Sequence, residues 1–133
     1  MQKILITGGT TFVSKYTASY FVQRGYEVYV LNRGNKEQVP GVHLIKCDRH
    51  DTEAFKKLLS PYRFDAVLDI TSYKASDIKD FVPALESGTA NSFPKYIMVS
   101  SSAVYPETET QPFLETARKG ENKFWRSYGT DKI

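Results

Sequence analysis

The segment Lys3–Ser14 reads KILITGGTTFVS and joins a short apolar run to a glycine pair. The run Lys3–Thr7 is nearly all apolar, which is typical of a parallel strand buried on both faces of a sheet. Gly8 and Gly9 allow a sharp turn and a close approach of backbone N–H groups to a ligand. A helix that follows such a turn would offer its positive end to a phosphate. This order of strand, glycine turn and helix predicts a dinucleotide-binding unit.

The helix after the turn is predicted from apolar spacing, and Gly25 is expected to end it. The apolar stripe of this helix is Val13, Tyr16, Tyr20 and Phe21. Two more helices are expected, one capped by Asp51 or Thr52 and one capped by Ser76 with a kink at Pro83. Their buried faces are predicted to be Phe55, Leu58 and Leu59 in the first and Ile78, Phe81, Val82 and Leu85 in the second.

Four further apolar segments predict strands at Glu27–Leu31, Val42–Lys46, Asp65–Ile70 and Lys95–Val99. Because helices separate most of the strands, the fold class is α/β, a Rossmann-type doubly wound parallel sheet. Right-handed crossovers favour the strand order 3-2-1-4-5. The whole chain, residues 1–133, is predicted to form one domain.

Composition restricts the possible function classes. The chain has 133 residues, 41% hydrophobic residues and a net charge of +3, which is an ordinary globular balance and too little charge to favour nucleic acid. A single cysteine, Cys47, fits a reducing compartment, and no apolar run is long enough for a membrane span. We therefore expect a cytoplasmic protein with no membrane partner, and the sequence suggests no metal site.

Ligands of such sheets bind beyond the carboxyl ends of the strands, where the winding reverses. The segments expected there are Thr7–Ser14, Asn32–Arg33, Thr71–Tyr73 and Ser100–Ser102. An arginine after the second strand can accept the 2′-phosphate of NADP, whereas NAD-binding chains usually have an acidic residue there. Arg33 thus favours NADP over NAD, although a solvated loop arginine is the simpler reading. Asp48, after the third strand, is expected near the adenine edge or as a plain loop carboxylate.

The carboxyl-terminal sequence Tyr128–Lys132 reads YGTDK and places a phenol and an ammonium group one helical turn apart. The ammonium stabilises a phenolate, so this pair suits proton transfer next to a nicotinamide. Alone, such spacing is usual on a surface helix. Together with the serines at the end of the fifth strand and the glycine turn, it indicates an oxidoreductase-type site.

These motifs resemble the extended short-chain dehydrogenase/reductase superfamily, the NAD(P)-dependent epimerases and dehydratases. The resemblance runs through TGGTTFVS, VLNRG, DAVLDI, VSSSAVYP and YGTDK. It implies that Tyr128 is the general acid/base, that Lys132 holds the nicotinamide ribose, and that Ser101 hydrogen-bonds the substrate oxygen. The cofactor-binding residues expected from motif and resemblance are Thr7, Gly8, Gly9, Thr11, Phe12, Val13, Asn32, Arg33, Asp48, Thr71 and Lys132.

The sequence departs from the family pattern at three positions. Thr11 and Ser14 replace the second and third glycines of the fingerprint, and Pro106 stands where glycine is common. Serine is small, whereas the Cβ of Thr11 narrows the approach to a pyrophosphate. A branch with a GGTxFxG turn, which includes chloroplast stem-loop RNA-binding proteins, has a larger residue at the Thr11 position. We therefore expect an altered glycine turn that still binds the pyrophosphate.

Family members continue beyond the Tyr-x-x-x-Lys motif with a substrate-binding region. The expectation is that these 133 residues form the cofactor-binding half of an enzyme and are inactive alone. A longer protein would add a small-molecule substrate of the nucleotide-sugar or carbonyl type, and the exposed fifth strand would favour self-association. The alternative function is a non-catalytic nucleotide- or RNA-binding module.

Overall fold

A parallel sheet forms the centre of the protein in the computed structural model, which describes residues 2–88 and 94–133. Its strands are β1 (Lys3–Thr7), β2 (Glu27–Asn32), β3 (His43–Lys46), β4 (Ala66–Asp69) and β5 (Lys95–Met98). The helices are α1 (Phe12–Gln23), α2 (Thr52–Leu59), α3 (Ala75–Gly88) and α4 (Ser127–Thr130), with a short 3-10 helix at Ser102–Val104. The predicted strands are confirmed, with differences of one residue at some ends.

The strand order is β3-β2-β1-β4-β5, and every pairing is parallel. This confirms the doubly wound sheet. The central strand β1 pairs with β2 on one side and with β4 on the other, so the winding reverses at β1. The carboxyl ends of β1 and β4 therefore flank the crevice in which ligands of such sheets bind.

Two apolar layers hold the sheet, one on each face. Leu5 of β1 belongs to a cluster with Phe55 of α2 and Phe81 of α3. Its neighbours Ile4 and Ile6 point to the opposite face and belong to the cluster on the α1 side. Because both faces are covered, the central strands are apolar at successive positions rather than at alternate ones.

The predicted buried face of α1 is wrong for three of its four residues, and only Phe21 packs against the sheet. Tyr16 is 83% exposed, and Val13 and Tyr20 are also exposed. The residues that face the sheet follow another stripe with helical spacing, Ser14, Ala18, Phe21 and Val22. Small side chains at Ser14 and Ala18 let the helix lie close to the sheet, and the tyrosines then point outward.

The end of α1 agrees with the prediction. Gly25 has a φ of 82°, a left-handed value that favours glycine. Its N–H group donates to the carbonyl oxygen of Val22, and the next N–H group, of Tyr26, donates to that of Phe21. This pair of hydrogen bonds closes the helix with a Schellman motif.

The other two long helices confirm one predicted cap and correct the second. The Asp51 carboxylate accepts the N–H of Ala54 and caps α2. Ser76 lies inside α3, which begins at Ala75, and Asp77 instead accepts the N–H groups of the two residues before the helix. Leu58 of α2 is exposed rather than buried, and α3 continues through Pro83. In the described parts of the chain, no helix has the length and apolarity needed to cross a membrane.

Candidate functional site

The turn between β1 and α1 is a close-packed glycine turn beneath the open end of a helix. Gly8 and Gly9 have φ values of 90° and 95°. A Cβ on Gly9 would lie 2.6 Å from Cγ1 of Val30, so any larger residue would push the turn off the sheet. Thr11 is the N-cap of α1, yet its hydroxyl accepts no hydrogen bond from the first turn. Helix N–H groups without a side-chain cap are suited to hold a phosphate.

The two departures from the glycine fingerprint have different consequences. Ser14 is buried, and its Oγ donates to the main-chain oxygen of Thr11 at 2.9 Å. This hydroxyl thus ties the first turn of α1 to its N-cap residue, a hydrogen bond that a glycine at position 14 could not make. Thr11 is exposed and contributes to the wall of the adjacent cavity. Phe12 begins the helix with a φ of 42°, which is strained for a bulky residue.

A cavity of about 400 Å³ opens at the carboxyl ends of β1, β2 and β3. Six of the residues predicted to bind the cofactor line it: Gly8, Thr11, Asn32, Arg33, Asp48 and Thr71. The other lining residues are Thr10, Leu31, Asn35, Lys36, Cys47, Arg49, His50 and Tyr73. Thr7, Gly9, Phe12, Val13 and Lys132 are absent from this wall. Arg49 is paired with the buried Asp69, so the exposed charged groups of the wall are the cations of Arg33 and Lys36 and the carboxylate of Asp48, a balance that suits an anionic ligand.

Asn32 and Arg33 adopt different positions although they are neighbours. The Asn32 amide donates to the main-chain oxygen of Gly8 at 2.8 Å, and its side-chain oxygen accepts the N–H of Gly34 at 2.8 Å. Asn32 therefore braces the glycine turn from β2. Arg33 is exposed, so its guanidinium is accessible to a ligand in the cavity.

Asp48 and Cys47 form part of the wall that follows β3. Asp48 is exposed, and its carboxylate accepts the N–H of His50 at 2.9 Å. Cys47 is buried, and desolvation together with the nearby Asp51 and Asp48 carboxylates raises the pKa of its thiol. This wall therefore has one exposed carboxylate at its rim and a buried thiol with a raised pKa deeper in the protein.

A buried ion pair, which the sequence reasoning missed, forms the floor of the site. Arg49 Nη1 lies 2.7 Å from Asp69 Oδ1, and Nη2 lies 3.1 Å from Oδ2. The Asp69 side chain is fully buried, and the Arg49 guanidinium also lies over the ring of Phe81 at 4.5 Å. The two hydrogen bonds of such a bidentate pair fix the orientation of both side chains, and their opposite charges neutralise each other.

Hydroxyl groups complete the coordination of the Asp69 carboxylate. It accepts hydrogen bonds from Thr7 at 3.0 Å, from Ser72 at 2.6 Å and from Tyr96. Burial opposes ionisation of Asp69, but the hydrogen bonds and charge of Arg49 outweigh it, and the pKa of Asp69 lies below its ordinary value. Burial and the hydrogen bond to Asp69 raise the pKa of the Tyr96 phenol. Asp69 is thus a buried carboxylate that accepts hydrogen bonds from one cation and from neutral hydroxyl groups.

Thr7, a predicted cofactor-binding residue, is part of this floor. Its Oγ1 donates to Asp69 and accepts the N–H groups of Ile70 at 2.8 Å and Thr71 at 3.1 Å. The side chain is completely buried, so Thr7 ties the end of β1 to the end of β4 beneath the cavity. One signal in the sequence could have revealed the network: Asp69 ends an otherwise apolar strand, and a buried carboxylate requires a partner.

The predicted proton-transfer pair does come together. Lys132 Nζ lies 5.5 Å from the centroid of the Tyr128 ring and donates to the main-chain oxygens of Ser72 at 2.8 Å and Val99 at 3.3 Å. Burial lowers the pKa of Lys132, and the carboxylates of Asp69 and Asp77 partly oppose that effect. Tyr128 lies within α4, whereas Lys132 lies two residues beyond the end of that helix, so the two side chains meet without sharing one helix face as predicted.

Ser101 is the N-cap of the 3-10 helix that packs beside α4. Its Oγ accepts the N–H of Ala103 at 3.1 Å, which leaves the hydroxyl hydrogen available for another partner. Gly129 of α4 lies against this helix so closely that a Cβ there would be 2.0 Å from the Ala103 oxygen. Glycine at position 129 therefore allows α4 to sit where it holds Tyr128 and Lys132.

Metal chemistry has no evident ligand set in residues 2–88 and 94–133. No group of three His, Cys, Asp or Glu side chains is arranged there to hold an ion. The chemistry available at this edge of the sheet is that of hydroxyls, a phenol, ammonium and guanidinium groups, and a helix end.

Comparison with known proteins identifies the family and the fold. The model of the NAD dependent epimerase/dehydratase family matches residues 4–133, and the chain belongs to that family. It is 32% identical over 130 residues to the chloroplast stem-loop binding protein of 41 kDa b of Arabidopsis thaliana, a match that covers 86% of this chain and 33% of that protein. It is 24% identical over 153 residues to the UDP-glucose 4-epimerase of Neisseria gonorrhoeae, covering 97% of this chain and 45% of the epimerase.

The same fold occurs in solved epimerase structures. The UDP-glucose 4-epimerase of Brucella ovis, crystallised in complex with NAD, superposes with a TM-score of 0.79 at 20% identity. That match covers 99% of this chain and 45% of the epimerase. The chain therefore spans between a third and about half of the length of the relatives described here.

Proposed function

We propose that this chain is the cofactor-binding half of an NAD(P)-dependent epimerase, dehydratase or reductase. The substrate class proposed is a nucleotide-sugar-like molecule or another small carbonyl or hydroxyl compound. The observation that carries the proposal is the convergence of three features at one edge of the sheet. These are the uncapped end of α1 over a glycine turn, the cation-rich cavity beside it, and the Tyr128–Lys132 pair.

The residues of the cavity fit a dinucleotide in a definite direction. The backbone of Gly8 and the open amino terminus of α1 would hold the diphosphate, and Asp48 would lie near the adenine edge. Arg33 and Lys36 line the end of the cavity where the ribose next to the adenine would lie, and both suit a 2′-phosphate. We therefore propose NADP(H) as the favoured cofactor. A nicotinamide cofactor would supply the hydride chemistry that no amino-acid side chain can provide.

The roles proposed for the remaining residues follow from their contacts. Lys132 is held by two main-chain oxygens and places its ammonium group 5.5 Å from the centroid of the Tyr128 ring. Tyr128 would then exchange a proton with a substrate hydroxyl or carbonyl as a general acid/base. Ser101 can donate its hydroxyl hydrogen to the same substrate oxygen, because its hydrogen bond with the Ala103 N–H uses Oγ only as an acceptor.

The cofactor proposal is tested by calorimetric titration of the chain with NADH and NADPH. We expect binding of at least one cofactor, and a Thr11→Glu variant should lose it because a carboxylate at the cradle repels the diphosphate. Gln23→Glu, at the far end of the same helix and exposed, is the matched control and should bind as the unaltered chain does. Equal affinity in all three proteins would remove the cradle from its proposed role.

Turnover is expected to need more than these residues. Since the chain covers only 45% of the matched Neisseria epimerase, we expect the 133 residues tested alone to bind cofactor without measurable hydride transfer. The readout is absorbance of the reduced nicotinamide during incubation with UDP-glucose. If turnover does occur, Tyr128→Phe should lower it by about a hundred-fold or more, as expected for loss of a general acid/base.

A second candidate function, RNA binding, is favoured by the relative that is named a stem-loop binding protein. The segment before α4 contains exposed Phe124 and Trp125. Its basic residues are Arg118, Lys119, Lys123 and Arg126, and its acidic residues are Glu107, Glu109, Glu115 and Glu121. Two of the basic groups lie within ion-pair distance of glutamates, Arg118 with Glu109 and Lys123 with Glu107. This segment is therefore aromatic but has no net positive charge.

Salt-dependent RNA binding distinguishes the two functions. Affinity that comes from phosphate contacts falls steeply as salt rises from about 50 to 200 mM. We expect no micromolar complex with a stem-loop RNA at either salt concentration in a gel-shift assay. A salt-sensitive complex that weakens in Arg126→Glu, without any affinity for NADH or NADPH, would establish the alternative function instead.

A further inference from the structure

Tyr73 occupies an unusual position at the carboxyl end of β4. It is an exposed aromatic residue, with 56% of its surface accessible, yet its backbone is held in place. The N–H of Tyr73 donates to the Asp77 carboxylate at 2.9 Å. The preceding residue, Ser72, is buried and bonded to the Arg49–Asp69 pair. The ring thus projects from a rigid support into accessible space.

Two cavities meet at this ring. Tyr73 lines the cavity of about 400 Å³ that contains the glycine turn. It also lines a second cavity of about 110 Å³, whose wall includes Ser72, Lys74 and Lys132. The side chain therefore stands between the proposed cofactor cavity and the space beside the predicted catalytic lysine.

Tyr73 also faces the predicted proton-transfer pair. Its ring centroid lies 6.3 Å from that of Tyr128, with an interplanar angle of 50°. Lys132 Nζ lies 5.5 Å from the centroids of both rings. Tyr73 and Tyr128 thus flank one ammonium group, and an aromatic surface continues from the cavity to the Tyr128–Lys132 pair.

A bound dinucleotide would contact this aromatic surface. The inference rests on the proposed function, in which the diphosphate lies at Gly8 and Thr11 and the adenosine lies towards Asp48. A dinucleotide in that orientation extends its other half past Thr71 towards Tyr73 and Lys132. Planar aromatic rings pack favourably when their centroids are about 4.5–7 Å apart, and a tyrosine loses little side-chain freedom on doing so.

We propose that Tyr73 is a cofactor-contacting residue against which the nicotinamide ring of the dinucleotide packs. Its side chain places that ring beside Tyr128 and Lys132. The contact is made by the aromatic face, so it depends on the ring of Tyr73 and not on its hydroxyl.

The test compares two ligands that differ only in the nicotinamide ring, NADH and ADP-ribose, by calorimetry. Tyr73→Ala should weaken NADH binding by about three- to ten-fold and leave ADP-ribose binding unchanged, and Tyr73→Phe should bind both normally. Tyr16→Ala, an exposed tyrosine on α1, is the matched control and should bind both ligands normally. Lys132→Met, by contrast, should weaken both ligands, because both contain the ribose that Lys132 is proposed to hold.

Each other outcome overturns the inference in a recognisable way. Equal weakening of NADH and ADP-ribose in Tyr73→Ala would show that Tyr73 acts through Lys132 or the shared part of the ligand. Unchanged NADH binding in Tyr73→Ala would show that the ring makes no contact, while the proposed cofactor function would stand. If the unaltered chain binds neither ligand, the proposed function fails and this inference fails with it.

Discussion

Lys132 donates a hydrogen bond to the main-chain oxygen of Ser72 at 2.8 Å, which connects the predicted catalytic lysine to the buried ion pair. The same Ser72 donates through its hydroxyl to Asp69 at 2.6 Å and accepts from Arg49 at 3.0 Å. The position of the Lys132 ammonium therefore depends on how the end of β4 is held. Substitutions in the Arg49–Asp69 pair should therefore also shift the Lys132 ammonium group.

Removing one member of the buried pair should be strongly destabilising. Asp69→Asn leaves Arg49 buried without its counter-charge, and such losses cost about 3–5 kcal/mol. Arg49→Met leaves the Asp69 carboxylate buried without its counter-charge and should lower the free energy of unfolding by a similar amount. The double variant should lose clearly less than the sum of the two, because it leaves no unpaired charge. Urea unfolding followed by circular dichroism measures all three, and strictly additive losses would contradict the coupling.

Acid should lower the free energy of unfolding, in part because Asp69 becomes protonated. Because the folded-state pKa of Asp69 is lowered, its ionisation stabilises the fold fully at pH values above the ordinary aspartate pKa of about 3.9. That contribution is lost as the pH falls further, through the lowered pKa of the folded state. The stability difference between the unaltered chain and Asp69→Asn should therefore be constant from neutral pH to about 5 and shrink below about 4. Urea midpoints measured across this range test it, and a difference independent of pH would show that the pKa of Asp69 is not lowered in the fold.

The close contact of Gly129 with Ala103 predicts a selective effect on the position of Tyr128 and Lys132. Gly129→Ala would place a Cβ 2.0 Å from the Ala103 oxygen, so α4 must move away from the 3-10 helix. We expect a loss of about 1–3 kcal/mol and a change in Tyr128 and Trp125 fluorescence. Ser127→Ala, an exposed position in the same short helix, is the control and should change neither quantity. Normal stability and fluorescence in Gly129→Ala would show that α4 does not pack in this way.

The cofactor preference should depend on Arg33. A charge-assisted contact to a phosphate contributes roughly 1.5–3 kcal/mol, so NADPH should bind at least about ten-fold more tightly than NADH. Arg33→Ala should remove most of that preference and leave NADH affinity nearly unchanged. Arg63→Ala, an exposed arginine near the opposite end of β4, is the control and should keep the preference. A preference for NADH in the unaltered chain would show that Arg33 has no such role.

The strands were predictable because their signal is local. Each is a short run of apolar residues bounded by polar or glycine-rich segments, and strands covered on both faces need no other pattern. The helix faces were less predictable, as α1 shows. Val13, Tyr16 and Tyr20 fit one helical stripe, and Ser14, Ala18 and Val22 fit another. Only the distance between helix and sheet decides between them, and here the stripe with small residues allows the closer approach.

By itself the sequence determined the strand order, the glycine turn and the pairing of Tyr128 with Lys132, because regular spacing and short crossovers encode all three. Only the tertiary structure brought Arg49 to Asp69 and Lys132 to the oxygen of Ser72. Arg49 and Asp69 lie 20 positions apart, and Lys132 and Ser72 lie 60 apart. No local rule marks such pairs as partners. They form because parallel strands end at a common edge, where the low dielectric of the buried floor requires each charge and polar group to find a partner.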